Sequence, residues 1–84
     1  MILPLVHKNG TSKDALLEQC RKAGAKVREA MEALSEMAPH GRDYYLVPGS
    51  FEQARKEYCD RQDMLTTVYR ELAAMAEGIV DMEG

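Results

Sequence analysis

Tryptophan is absent from this 84-residue chain, and its single phenylalanine, Phe51, is joined by four tyrosines. With so few large rings, aliphatic side chains have to supply most of the packing. Proline occurs only at positions 4, 39 and 48, so two long stretches carry no obligatory helix breaker. Cys20 and Cys59 are too few for a disulfide framework and fit neither a zinc spacing nor a Cys-x-x-Cys redox motif. Basic charge is also short: 11 Lys and Arg stand against 14 Asp and Glu, for a net charge of −3. That balance argues against duplex DNA as a partner, since phosphate binding needs a basic face. No apolar run is long enough to span a bilayer. The apolar stretch Met1 to Val6 lacks a basic leader and is too short for a signal core. Reduced thiols and the missing leader point to the cytoplasm.

What is present is two long helical patterns around one unusual loop. Eighty-four residues make one domain at most, and a chain this short is marginal without a metal, a disulfide or an oligomer. Residues 1–10 read as an extended arm, because Pro4 blocks a helix while Ile2, Leu3, Leu5 and Val6 need cover. The arm is expected to lie across a hydrophobic seam. Residues 11–38 read as the first helix, with Thr11 as N-cap and Asp14 suited to the positive helix end. Its apolar positions Leu16, Cys20, Ala23, Val27, Ala30, Leu34 and Met37 step by 4 and 3, a coiled-coil heptad seam. Leu17, Met31 and Ala38 form a stripe beside it. Gly24 inside this helix costs about 1 kcal/mol relative to alanine, which points either to close approach of another backbone or to a tolerated exposed site.

Residues 50–80 read as the second helix, with Ser50 as cap and Gln53 completing a Ser-x-x-Gln box. Its seam runs Phe51, Ala54, Tyr58, Arg61, Leu65, Val68, Leu72, Met75, Ile79. Arg61 is the one charge in that seam and reads as a stem packed on apolar neighbours with its head reaching Glu29 or Glu32. Residues 81–84 read as a frayed tail. The expected fold is all-α: a two-helix antiparallel hairpin with an extended N-terminal arm. Folded about Tyr44 and Tyr45, it would set Cys20 opposite Tyr69, leaving the thiols too far apart to bridge. Two helices cannot hide two stripes each, so the hairpin is expected to assemble as a helical-bundle homo-oligomer, the alternative being a third layer made by the N-terminal arm alone.

The loop, residues 39–49, holds most of the recognition chemistry. Connections between packed helices usually run about 2 to 8 residues, and longer ones tend to be functional or disordered. This one carries two tyrosines, a leucine and a valine, which is not a linker composition. It leads into a helix N-terminus, where unpaired N–H groups favour an anion. Arg42 would contact that anion, Tyr44 and Tyr45 would stack on a ring, and His40, Asp43 and Ser50 would complete the set. Arg55 and Lys56 follow one turn on. A small phosphate-bearing or nucleotide-like ligand fits this collection. A structural reading stands beside it, in which Arg42 hydrogen-bonds the end of the first helix and Tyr44 and Leu46 plug the bundle. His40, Asp43 and Tyr44 make no recognisable nucleophile, base and orienter set, so no catalytic residue is assigned. No metal ligands and no cofactor are assigned either.

The string Pro39-His40-Gly41-Arg42-Asp43-Tyr44-Tyr45, set between two helices and preceded by Asn9-Gly10-Thr11-Ser12, resembles small, largely uncharacterised phage and prophage proteins. The resemblance covers nearly the whole chain and implies no established activity. In size, charge and architecture the chain is also similar to small oligomeric helical phage proteins that sequester cyclic-nucleotide immune signals, an anti-defence role. That likeness carries over no residue. Together these readings give a non-enzymatic phage-type accessory protein in the host cytoplasm that sequesters a small ligand through its loop. The alternative is an adaptor or structural phage protein whose exposed helix faces bind a host or phage protein.

Overall fold

The computed structural model describes residues 1–82 and is all-helical, with no strand among them. The order is an arm, helix α1 (Lys13–Ser35), a 3-10 turn η1 (Gly41–Asp43) and helix α2 (Ser50–Val80). Of the tail expected at residues 81–84, the last two lie outside the described residues.

Helix α1 begins one residue later than the Thr11 cap implies. Ser12 takes the extended cap conformation and its Oγ accepts the Ala15 N–H at 3.2 Å. Thr11 and Ser12 are both good caps, and only one can hold the position. The helix stops at Ser35, short of Ala38. There the Met37 and Ala38 N–H groups donate three residues back, to Leu34 and Ser35, in the tighter winding that often ends helices ahead of a proline. Helix α2 is capped by Gly49, not Ser50. Gly49 sits at φ +81°, the left-handed region, and Gln53 N–H donates to its carbonyl at 3.2 Å. A side chain is disfavoured at that φ, which is why glycine precedes the serine here.

The two helices pack against each other. Lys13 Nζ donates to the Met82 carbonyl at 2.7 Å, a Cβ on Gly24 would meet Tyr69 at 3.9 Å, and Gln62 Nε2 donates to the Met31 carbonyl at 3.2 Å. The first of these sets a cation at the carbonyl end of α2, where it is favoured. Gly24 lies under Tyr69, and Cys20 borders the same hollow as that ring. The inward stripe of α1 is also rotated. It runs Leu17, Cys20, Gly24, Val27, Met31 and Leu34, while Ala23 and Ala30 face outward. On α2, Gln62 takes the seam place expected for Arg61, and Arg61 is exposed with no ion pair among the described residues. Gln62 reaches Met31 and the Tyr58 hydroxyl, yet its Oε1 is enclosed without a partner.

Helix α2 has 31 residues and α1 has 23, so α2 outruns its neighbour. The arm follows one end of it: Leu3 lies directly against Gly78, and the neighbouring Ile79 is fully buried. Leu3, Pro4 and Val6 are partly covered, whereas Ile2 and Leu5 are exposed. Cys20 and Ile79 are the only buried apolar side chains among the described residues. The molecule is a rod of 62 × 20 × 17 Å, with a radius of gyration of 18.5 Å. A compact domain of this length would have roughly 12 Å.

The space above Gly24 decides its substitution. At 3.9 Å the Tyr69 ring leaves room for a methyl group, and the glycine otherwise costs the helix conformational freedom. Gly24→Ala should therefore stabilise the chain by about 0.5–1 kcal/mol in urea unfolding followed by circular dichroism. Gly24→Leu, which has to displace the ring, should destabilise it.

Candidate functional site

The loop folds onto the start of α2 rather than standing open. Its fixed point is Ser50, whose Oγ lies within hydrogen-bond distance of both the Tyr44 carbonyl (2.9 Å) and the Val47 carbonyl (2.8 Å). The backbone follows, with Val47 N–H donating to Tyr44 and Ser50 N–H to Val47. Tyr44 is half-buried and packs on Phe51, ring centroids 6.3 Å apart and tilted by 35°. The Arg55 guanidinium stands 5.7 Å over the Phe51 ring, a cation–π contact. On the upstream side, His40 Nδ1 accepts the Arg42 N–H at 3.3 Å and caps η1.

These contacts sort the six residues that the sequence singles out. Ser50 and His40 spend side-chain hydrogen-bonding capacity on the loop's own backbone, and Tyr44 spends its ring on Phe51. Arg42, Asp43 and Tyr45 are exposed, and no ion pair joins Arg42 to Asp43. Of the two cations one turn into α2, Arg55 is engaged by Phe51. Lys56 is paired with Asp60 at 2.9 Å, and the hydrogen bond and charge of that carboxylate hold the Lys56 ammonium above the usual lysine value. Both side chains are exposed, so these contacts hold them only weakly.

A hollow of about 380 Å³ lies beside the plug, between the last turn of α1 and the first turns of α2. Tyr44 and Ser50 reach its wall; His40, Arg42, Asp43 and Tyr45 do not. Its other polar walls are Gln53, Glu57, Tyr58 and Arg61. Those four sit in the middle of a helical pattern, where each reads as surface or seam. Only the 3-4 spacing of Ala54, Tyr58 and Arg61 hints that they share a side. A second hollow, also about 380 Å³, opens on the opposite side of the helix pair around Cys20, Gly24, Arg28 and Tyr69, and is mostly apolar.

The loop tip itself is apolar and uncovered. Tyr45 is 75% exposed, Leu46 79% and Val47 61%. No group of three or more His, Cys, Asp or Glu among the described residues could hold a metal ion. No described helix is long and apolar enough to cross a membrane. Comparison with known proteins finds no family model, no curated protein and no solved structure that matches this chain.

Removing the Ser50 hydroxyl tests the plug. Ser50→Ala should cost about 1 kcal/mol of stability, the usual net worth of such a hydrogen bond. It should also speed amide exchange at Val47 and Ser50, whose N–H groups donate within the turn, while leaving exchange in the middle of α2 unchanged.

Proposed function

We propose that this chain is a non-enzymatic accessory protein of the phage type, an antiparallel helical hairpin that assembles with copies of itself and acts by docking a host or phage protein. The observation that carries the docking reading is the loop tip. Three consecutive apolar side chains, Tyr45, Leu46 and Val47, stand in solvent on a turn whose backbone is pinned by Ser50. A rigid turn loses little freedom on binding, and a tyrosine flanked by aliphatic groups is a favourable anchor for a protein surface. The self-assembly reading is supported by the poverty of the interior, where two apolar side chains alone are buried among the described residues. Both thiols are free, which suits a reducing cytoplasm.

One observation favours a second reading, the capture of a small phosphate-bearing or nucleotide-like ligand by the same loop. The Arg42 guanidinium is exposed and has no ion-pair partner among the described residues, three positions from the exposed Tyr45 ring. In that reading Arg42 holds the anion and Tyr45 stacks, while Tyr44, His40 and Ser50 keep the turn in shape.

The two readings part cleanly. A photo-crosslinking side chain at position 46 should capture one discrete cellular protein, and Leu46→Asp in the untagged chain should outcompete poorly for it. The same crosslinker at Glu32 should capture none. Absence of any adduct at position 46, combined with calorimetric heat for a mono-, di- or cyclic nucleotide that Arg42→Ala abolishes, would replace docking with ligand capture.

A further inference from the structure

We infer that a second copy of this chain covers the open face carrying Ala23 and Ala30 of α1 and Met64 and Val68 of α2, with the two-fold axis parallel to the helices. The inference rests on the self-assembly reading above and specifies where and how the copies meet.

Ala23 and Ala30 lie about a quarter-turn to one side of the inward stripe of α1, and Met64 and Val68 lie a quarter-turn in the same sense on α2. Because the helices meet in opposite order, the same sense of rotation brings both sets to one side of the pair. The two hollows agree. The one at the loop end is lined from the same quarter of each helix, by Met37 and by Glu57 and Arg61. The other is lined from the opposite quarter, by Arg21, Ala25 and Arg28. The arm occupies the far end of α2, where Leu3 meets Gly78. Between the arm and the loop-end hollow the face carries Ala23, Ala30, Met64 and Val68 uncovered, with Met64 62% and Val68 43% exposed.

Area favours an occupant of this size. The accessible surface is 6604 Å², whereas a compact chain of this mass exposes roughly 5,000 Å². The surplus, about 1,600 Å², exceeds the ~800 Å² that each partner gives up in a standard interface. Shape and charge favour a second copy over another protein. An axis along the helices keeps each residue at its own height and sets α1 of one copy across from α2 of the other. Given the register of Gly24 with Tyr69 and Met31 with Gln62, Ala23 then faces Val68 and Ala30 faces Met64, small against large at both levels.

The edges match as well. Lys26 borders the face on α1 and Glu71 borders it on α2. Each side chain leans toward the N-terminus of its own helix, which brings the two together across the interface. Within one copy they sit on opposite shoulders and form no ion pair. The exposed Lys26–Glu29 pair at 3.2 Å holds Lys26 only weakly. The competing two-fold, perpendicular to the helices and centred on the same alanines, would set Lys26 against the Lys26 of the second copy. The parallel axis also places both loop tips at the same end, so the assembly presents two Tyr45-Leu46-Val47 turns side by side.

Sedimentation equilibrium over a range of concentrations tests this. The unaltered chain should be a dimer, and Ala30→Glu should raise the dimer dissociation constant at least tenfold. Circular dichroism of Ala30→Glu at a concentration that keeps it dimeric should match the parent. Arg28→Glu, on the opposite face, should leave the constant unchanged. Lys26→Glu and Glu71→Lys should each weaken the dimer several-fold, and the two together should restore it. A chain that is monomeric at every concentration overturns the self-assembly reading itself. An oligomer indifferent to Ala30→Glu, or a charge-swapped pair no stronger than its singles, leaves self-assembly standing and overturns the face or the axis.

Discussion

Two helices lying side by side can each bury one stripe, and this chain carries more apolar surface than two stripes. That constraint shapes everything else. Leu17, Cys20, Gly24, Val27, Met31 and Leu34 turn inward, and in doing so push Ala23 and Ala30 out. Phe51, Ala54, Tyr58, Leu65 and Leu72 turn inward on α2, and Met64 and Val68 are left outside. The remaining apolar segments, the arm and the loop, lie at the two ends of α2.

The ends are held by specific polar contacts. Lys13 ties the start of α1 to the Met82 carbonyl just past the end of α2. Ser50 gathers the Tyr44 and Val47 carbonyls, and Tyr44 closes on Phe51 under the Arg55 guanidinium. Such a turn is hydrogen-bonded without being buried. Its polar side chains are largely committed to itself, and its apolar ones are on offer. That division is the ground on which the docking proposal is preferred to ligand capture.

The helical character of both segments was legible because each carries apolar residues at 3-4 spacing over many turns. The long loop was legible from Pro39, Pro48 and Gly49, which interrupt helical geometry by known means. Which stripe faces inward was not legible. Ala23 and Gly24, or Ala30 and Met31, are neighbours on the wheel, and a heptad count favours one column while straight helices of 3.6 residues per turn drift to the next. The choice of Gln62 over Arg61 follows from the same drift, since rotating the seam by one position exchanges a charge that must reach water for an amide that can bond Met31. Adjacent capping residues blurred the helix starts in a similar way: Thr11 with Ser12, and Gly49 with Ser50, are separated by a hydroxyl geometry and a φ angle that spacing does not encode. Of the six loop residues proposed for binding, the sequence could show their chemistry but not that Ser50, His40 and Tyr44 would be used up in holding the turn.

If the second apolar stripe is covered only when copies meet, folding and assembly are one equilibrium, and stability has to follow mass action. The most direct measurement is the thermal midpoint of the helical circular dichroism signal across a hundredfold range of protein concentration. A midpoint that climbs by a few degrees with each tenfold rise is the predicted result. A midpoint that stays fixed over the whole range, with the chain fully helical at the lowest concentration, would contradict it.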